Sequence, residues 1–260
     1  EPIELAPMGA VFDILHIGKA APLPVSRPYE AQALDLKERF PSEAKAIDAW
    51  FDAVRKGREA AIAVLQVRAM PQPFGAVVEW WKRGEIERWC GRTTAEVAAE
   101  ITDNKDLAAA LFAQWGDHGG RPSLASFAVH ALIAHAYLEC GAWYPVGGSS
   151  VIADHMLPVI TKAGGEARAG AKVDRVLVDD GRVTGVRTCD GEEFFADVVV
   201  SDIGVRETVD TLLPRGQGWE DWVSKIRSFS PSICHFTLFL GFEGDIASAG
   251  ATKANHWLYP

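Results

Sequence analysis

Little in this sequence could cross-link it. Cysteine occurs four times in 260 residues, at Cys90, Cys140, Cys189 and Cys234, and no two of them form a Cys-x-x-Cys pair. Neither a disulfide framework nor a zinc ribbon is indicated, and a reducing, cytoplasmic setting fits best. Long apolar runs are scarce too. The longest, residues 127–138, is interrupted by His130 and His135 and falls short of the roughly 20 residues a bilayer span takes. Basic charge is the minority sign: 26 Lys and Arg stand against 35 Asp and Glu, for a net charge of −9, with no basic run and no basic-aromatic interleaving. That balance excludes nucleic acid as a natural partner. The chain opens on Glu1 rather than methionine, and no signal-peptide pattern follows, so the N-terminus reads as a fragment boundary.

What is present is the material of a folded protein. Hydrophobic residues make up 48% and charged residues 23%, enough for one large domain or two smaller ones. The first half reads as helical. Ile47, Phe51, Val54, Ile62 and Leu65 recur at helical steps behind Pro41-Ser42, with Gly57 as a point where the helix could bend or divide. Thr93 and Glu96 have the spacing of a capping box, and Asp103 is expected to cap the next helix, whose stripe is Leu107, Leu111, Phe112 and Trp115. Residues 123–139 are apolar on nearly every face, so this helix is either central to a core or lines an apolar cavity. Gly141 stops it. A further helix is expected over 149–163, with Pro158 inside and Gly164-Gly165 at its end.

Periodicity then changes from 3.6 to 2. Residues 171–178, 182–188 and 192–195 read as a three-stranded meander joined by turns at Asp180-Gly181 and Asp190-Gly191. The run Asp197-Val198-Val199-Val200-Ser201 has the pattern of a strand buried on both faces of a parallel sheet. Helices are expected near 206–213 and 219–226, and strands over 232–242 and 256–259.

Several ordered stretches resemble the family of phytoene desaturases, carotenoid isomerases and retinol saturases, flavoproteins of the amine-oxidase superfamily. The resemblance is carried by Leu36-Lys37-Glu38-Arg39-Phe40-Pro41-Ser42-Glu43, Arg92-Thr93-Thr94, Gln114-Trp115-Gly116-Asp117 and Ser126-Phe127 with His130-Ala131. Gly141-Ala142-Trp143-Tyr144-Pro145-Val146-Gly147-Gly148 is the most specific piece, followed by Gly164-Gly165, Gly185-Val186, Val198-Val199-Val200-Ser201-Asp202, Pro231-Ser232 and Leu240-Gly241. It implies an α/β chain, part of a two-domain FAD flavoprotein. Residues 1–145 would form a mainly helical substrate segment, 146–204 a partial FAD-binding domain with the meander, and 205–260 a return to the substrate domain.

The activity implied is hydride exchange between FAD and the carbon chain of an apolar carotenoid-like or retinoid-like isoprenoid, by saturation, desaturation or isomerisation. Such a substrate offers almost no hydrogen-bonding handle and must be recognised by buried area; the 123–139 helix and Trp80, Trp81, Trp89 and Trp115 could line the cavity. For the cofactor, the resemblance points to Val173 at the adenine edge, to Ser201 and Asp202 at the end of a parallel strand, and to Gly147 and Gly148 at the domain boundary. No side chain stands out as a catalytic acid or base, since in this family the cofactor carries the chemistry.

The sequence also departs from the family. It has no Gly-x-Gly-x-x-Gly turn after a buried strand and no C-terminal glycine-rich segment, and residues 20–33 look shortened. Weak or no FAD binding is therefore expected of this chain alone, with a second polypeptide as one source of the rest of the flavin site. Two other readings stand beside the first: a non-catalytic lipid-binding or subunit polypeptide, and an amine-oxidase-type flavoprotein acting on a polar amine. His118, His130 and His135 are read as core or surface histidines and no metal is assigned. Trp80 and Trp81 with Trp89 are read first as packing and second as an anchor that dips into a membrane surface.

Overall fold

The structure is a computed structural model that describes residues 2–260; Glu1, where the sequence suggested a boundary, lies outside them. In chain order the elements are β1 (Leu5–Pro7), β2 (Val11–Ile17), β3 (Leu23–Ser26), α1 (Tyr29–Arg39), a 3₁₀ turn at Pro41–Glu43, α2 (Ala44–Ala69), α3 (Phe74–Cys90), α4 (Thr94–Ile101) and α5 (Lys105–Leu111). There follow a 3₁₀ segment at Ala113–His118, α6 (Phe127–Cys140), β4 (Trp143–Pro145), α7 (Ser150–Lys162), β5 (Val173–Asp179), β6 (Arg182–Thr188) and β7 (Glu193–Phe195). The last are α8 (Val205–Glu207) continued by a π turn at Thr208–Leu212, α9 (Glu220–Ser228) and β8 (Asn255–Tyr259). The chain is mixed α/β and divides into two units. One runs to Ile152 and includes Ser232–Pro260; the other is Ala153–Pro231.

The first unit is organised around α2 and α6. Gly57 does not divide α2, which runs unbroken for 26 residues. Its role is close approach: a Cβ there would lie 2.8 Å from Cε1 of Phe127 and 2.9 Å from Cβ of Ala131. Glycine thus lets α6 lie against α2, and the ring of Trp50 meets Phe127 edge-on at 5.4 Å. Of the two readings of the 123–139 helix, the core wins, because Phe127 and Ala131 are fully buried. It begins at Phe127 rather than 123, with residues 121–126 taken up by turns and by Ser126, whose hydroxyl donates to the Cys90 carbonyl (2.8 Å).

The capping box at α4 forms as expected, with Thr93 N–H donating to Glu96 (2.8 Å) and Glu96 N–H donating to the Thr93 hydroxyl (3.2 Å). The cap of α5 is Asn104, not Asp103: its side-chain oxygen accepts from the N–H groups of Asp106 and Leu107 (both 3.1 Å). The N-terminal third also departs from an all-helical reading. β2 is the central strand of a sheet ordered β3-β2-β8, antiparallel to β3 and parallel to β8, with Asp13 opposite Asn255 and Ile17 opposite Tyr259. β1 pairs with β4.

The second unit contains the meander as read from the sequence, in the order β5-β6-β7. Asp180 (φ 46°) and Gly181 (φ 73°) both take the left-handed conformation, which a two-residue type I′ hairpin turn requires. Two expected strands do not form. Residues 198–200 carry no ladder, and Val198 and Val200 are 75% and 89% exposed. An interior strand of a parallel sheet has paired strands on its edges and covering layers on its faces, and no strand flanks this run among the described residues. Residues 232–242, in the first unit, are likewise unpaired, with Phe236 and Phe239 exposed. The strand near the C-terminus does form, as β8.

Candidate functional site

Val173 opens β5, opposite Thr188 of β6. β5 is an edge strand, so among the described residues no further strand pairs with its outer backbone donors and acceptors. The strand is held in shape from the other side by Arg187, whose guanidinium grips Asp174 with two bonds (3.1 and 2.8 Å) and keeps that carboxyl below the usual range. Ser201 and Asp202 lie in the same unit but not on a strand, in the exposed connection before α8. There the Ser201 hydroxyl bonds the Thr208 hydroxyl (2.7 Å), and Thr208 donates to the Gly204 carbonyl (2.9 Å).

Gly147 and Gly148 fall in the other unit, between β4 and α7. Both have left-handed φ values, 92° and 91°. The turn is closed by Gly148 N–H donating to the Pro145 carbonyl (3.0 Å), and it leads directly into the N-terminus of α7. Strained φ here selects glycine over any side chain, and a bare backbone in front of a helix N-terminus suits an anionic group. No residues of the chain supply the glycine turn that holds a pyrophosphate.

Sequence reasoning missed a polar cluster buried in the first unit. Asp13, on the central strand β2, is 2% exposed and accepts from Gln114 (2.5 Å) and Asn255 (2.9 Å). Nearby, Tyr137 bonds Asp117. Loss of solvent, reinforced by the charge of Asp13, raises the Asp117 carboxyl, and loss of solvent with the charge of Asp117 pushes the Tyr137 hydroxyl up to about 12. The only signal in the sequence was a single aspartate within a short apolar stretch; its partners lie about 100 and 240 positions away.

His118 and His130 meet edge to face at 5.6 Å. Burial, then the neighbouring His118 ring, drive His130 down to about 3, with the Leu111 backbone opposing. Neither nitrogen of His130 has a hydrogen-bond partner of good geometry. His135 instead bonds the Tyr29 hydroxyl (2.9 Å). Among the described residues no group of three or more His, Cys, Asp or Glu side chains could hold a metal ion, and the cysteines are free. The tryptophans of α3 differ in their surroundings. Trp89 is buried against Phe127, whereas Trp80 and Trp81 are 76% and 77% exposed.

The comparison with known sequences gives the family. The chain belongs to the family of flavin containing amine oxidoreductases, whose model matches residues 33–226. Among curated proteins it is similar to an all-trans-retinol 13,14-reductase of Danio rerio, at 32% identity over 235 residues, which are 87% of this chain and 39% of that protein. The all-trans-retinol 13,14-reductase of Rattus norvegicus is 29% identical over 99% of this chain and 44% of its own length. A neurosporene-forming phytoene desaturase of Rhodobacter capsulatus is 36% identical over 117 residues, 45% of this chain and 22% of the desaturase. The chain thus spans about two fifths of the length of the curated reductases it matches.

Proposed function

We propose that this chain is the substrate-domain portion, with part of the flavin site, of an FAD-dependent oxidoreductase acting on the carbon chain of an apolar isoprenoid. The observation that carries the reading is similarity along nearly the whole chain to proteins named for reducing retinol, with a shorter match to phytoene desaturases. Residues 1–145 and 205–260 are assigned to the substrate side and 146–204 to the flavin side. This divides the chain by role, whereas the two units divide it by packing.

Flavin, when bound, supplies hydride exchange with a carbon of the substrate. This chain's residues would hold and orient. The backbone of Val173, at the open edge of β5, would pair with the adenine; Gly147 and Gly148 would admit the cofactor next to the start of α7; Ser201 and Asp202 would contribute polar contacts from the connection before α8. The exposed apolar run 198–200 supports an incomplete flavin domain, since such a segment is at home between flanking strands, which a second polypeptide or a longer form of this one could supply.

The test is the absorbance spectrum after incubation with FAD and desalting, for this chain and for the product of the longest reading frame that contains it. The chain alone is expected to retain flavin substoichiometrically. The longer product is expected to retain it fully and to convert all-trans-retinol or a carotenoid precursor. A longer product that holds no flavin, or holds it and acts only on a polar amine, overturns the reading.

A further inference from the structure

The β3-β2-β8 sheet carries a pair of histidines from opposite ends of the chain. In the parallel pairing of β2 with β8, Ile14 stands opposite His256 and His16 opposite Leu258. Side chains alternate along a strand, so these four share one face of the sheet, while Leu15, Trp257 and Tyr259 lie on the other and pack against the core. Leu258 and His256 are exposed and His16 is half-buried. The histidine pair therefore stands on the outer face, open to solvent.

His16 and His256 meet nitrogen to nitrogen, with Nε2 of His16 2.9 Å from Nδ1 of His256. The protonation of the pair follows from the far side of His256. There the Thr252 hydroxyl donates to the Ala254 carbonyl (3.4 Å) and its oxygen lies 3.0 Å from Nε2 of His256. With its own proton so used, the hydroxyl oxygen accepts from Nε2–H, and Nδ1 of His256 carries the lone pair. A ring pinned through one nitrogen, with the other left as a base, is the arrangement that metal-binding histidines share. Neutral His16 donates to this lone pair through Nε2–H. Transfer of that proton to Nδ1 of His16 leaves a second basic nitrogen beside the first.

The spacing selects the ion. Two imidazole nitrogens about 2.0 Å from one ion stand about 2.8 Å apart in neighbouring positions of a square-planar or tetragonal ion, and about 3.3 Å apart around a tetrahedral one. The observed 2.9 Å is nearer the first. Both rings must turn for their lone pairs to converge on the ion, and the open face leaves room for it. Imidazole suits nickel and copper, whereas magnesium and calcium take oxygen ligands. The net charge of −9 favours a cation. Among the described residues no third His, Cys, Asp or Glu joins the pair, so water completes the coordination.

We propose that His16 and His256 form a two-histidine site for a late divalent transition-metal ion, with Thr252 as the positioning residue that holds the His256 ring. The two ligands are 240 positions apart in the chain, so a bound ion also clamps β2 to β8.

The experiment is calorimetric titration of the full chain with Ni²⁺, and with Mg²⁺ for comparison, in a buffer that does not chelate. The variants are His16→Phe, His256→Phe, Thr252→Val and His235→Ala, the last removing an exposed histidine outside the pair, with circular dichroism to confirm folding. The parent is expected to bind one Ni²⁺ at this site and no Mg²⁺. Either phenylalanine variant should weaken Ni²⁺ binding by at least about tenfold, and Thr252→Val by about tenfold, whereas His235→Ala should leave it unchanged. Ni²⁺ should raise the melting temperature of the parent and not that of the phenylalanine variants. Failure of the parent to bind Ni²⁺, or binding that survives both phenylalanine variants, overturns the proposal. So does binding that His235→Ala abolishes, and equal binding by Thr252→Val overturns the positioning role. The assay needs neither flavin nor turnover, so its outcome is independent of the proposed activity.

Discussion

The two units of this chain are held together in different ways. The first has a continuous core in which Phe12, Ile47, Val54, Leu107, Phe127 and Ala131 are fully buried. In the second, the buried apolar residues are Val176, Val209, Leu212 and Val223, and much of the visible fixation is local: a type I′ turn, the Arg187–Asp174 pair, and Arg168 bound to Glu166 and Glu192. Exposed ion pairs of this kind stabilise little. A unit with a closed core should therefore respond strongly to a single deletion inside it and to burial of a titratable group. A unit built from turns should respond mainly to backbone geometry.

The largest effect is expected at Phe127, where the ring fills the space left by Gly57 and contacts Trp50, Trp89 and His130. Phe127→Ala removes a fully buried ring at the α2–α6 crossing and should cost about 3–5 kcal/mol, read as a lowered denaturant midpoint. Hydrogen exchange should show the loss in the first unit while β5 and β6 keep their protection. Equal loosening of the meander would show that the units unfold as one, and the comparison would fail.

A smaller effect separates the units by pH. His130 has a folded value of about 3 against an ordinary 6.5, so the unfolded chain takes up the proton first. Stability from the neutral ring is full above about 6.5 and is lost as pH falls toward 3, a loss of about 2 kcal/mol by pH 5. His118 and His135 are also held down, chiefly by burial, and add to the same slope. In the second unit the groups held low are carboxylates, Glu166 and Asp174 by arginine partners and Asp190 by the Thr188 hydroxyl. Their contribution persists until pH falls into the carboxylate range. Between pH 6.5 and 5 acid should thus weaken the first unit selectively, and His130→Leu should flatten that slope. An unchanged slope in thermal melts of the variant would remove His130 from the account.

What could be read in advance was local, and what could not was long-range. The capping box of Thr93 and Glu96 involves neighbours three apart, and the meander announces itself by Asp180-Gly181 and Asp190-Gly191 between alternating strands. Both formed as read. Asp103 and Asn104 are adjacent and both are good caps, so choosing the wrong one moved the start of α5 by a single residue. The N-terminal strands went unread because β2 is completed by β8, some 240 residues away, and no pattern in 11–17 identifies that partner. Asp13 was missed for the same reason. The opposite error occurred at 198–200, where a correct signal for a buried strand had no sheet to join among the described residues. The candidate flavin positions came from the resemblance and not from local pattern: the left-handed backbone of Gly147 and Gly148 and the edge position of β5 are properties of the folded chain that single residues do not announce.

The smallest effect tests whether turn geometry shapes the second unit. Gly181 has φ 73° and a Cβ there would meet nothing within 4 Å, so Gly181→Ala introduces backbone strain without a steric contact. The left-handed conformation costs an alanine roughly 1–2 kcal/mol, and loss of unfolded-chain freedom offsets part of it by about 0.4–1 kcal/mol. The net loss should be about 1 kcal/mol, with faster amide exchange at β5 and β6 and none in α2 or α6. Asp180 already tolerates φ 46°, as aspartate and asparagine do better than most residues, so Gly181→Asn should recover most of the loss. If alanine and asparagine behave alike, the turn is not what holds β5 to β6, and the thin core around Val176 carries more of the second unit than its few buried side chains suggest.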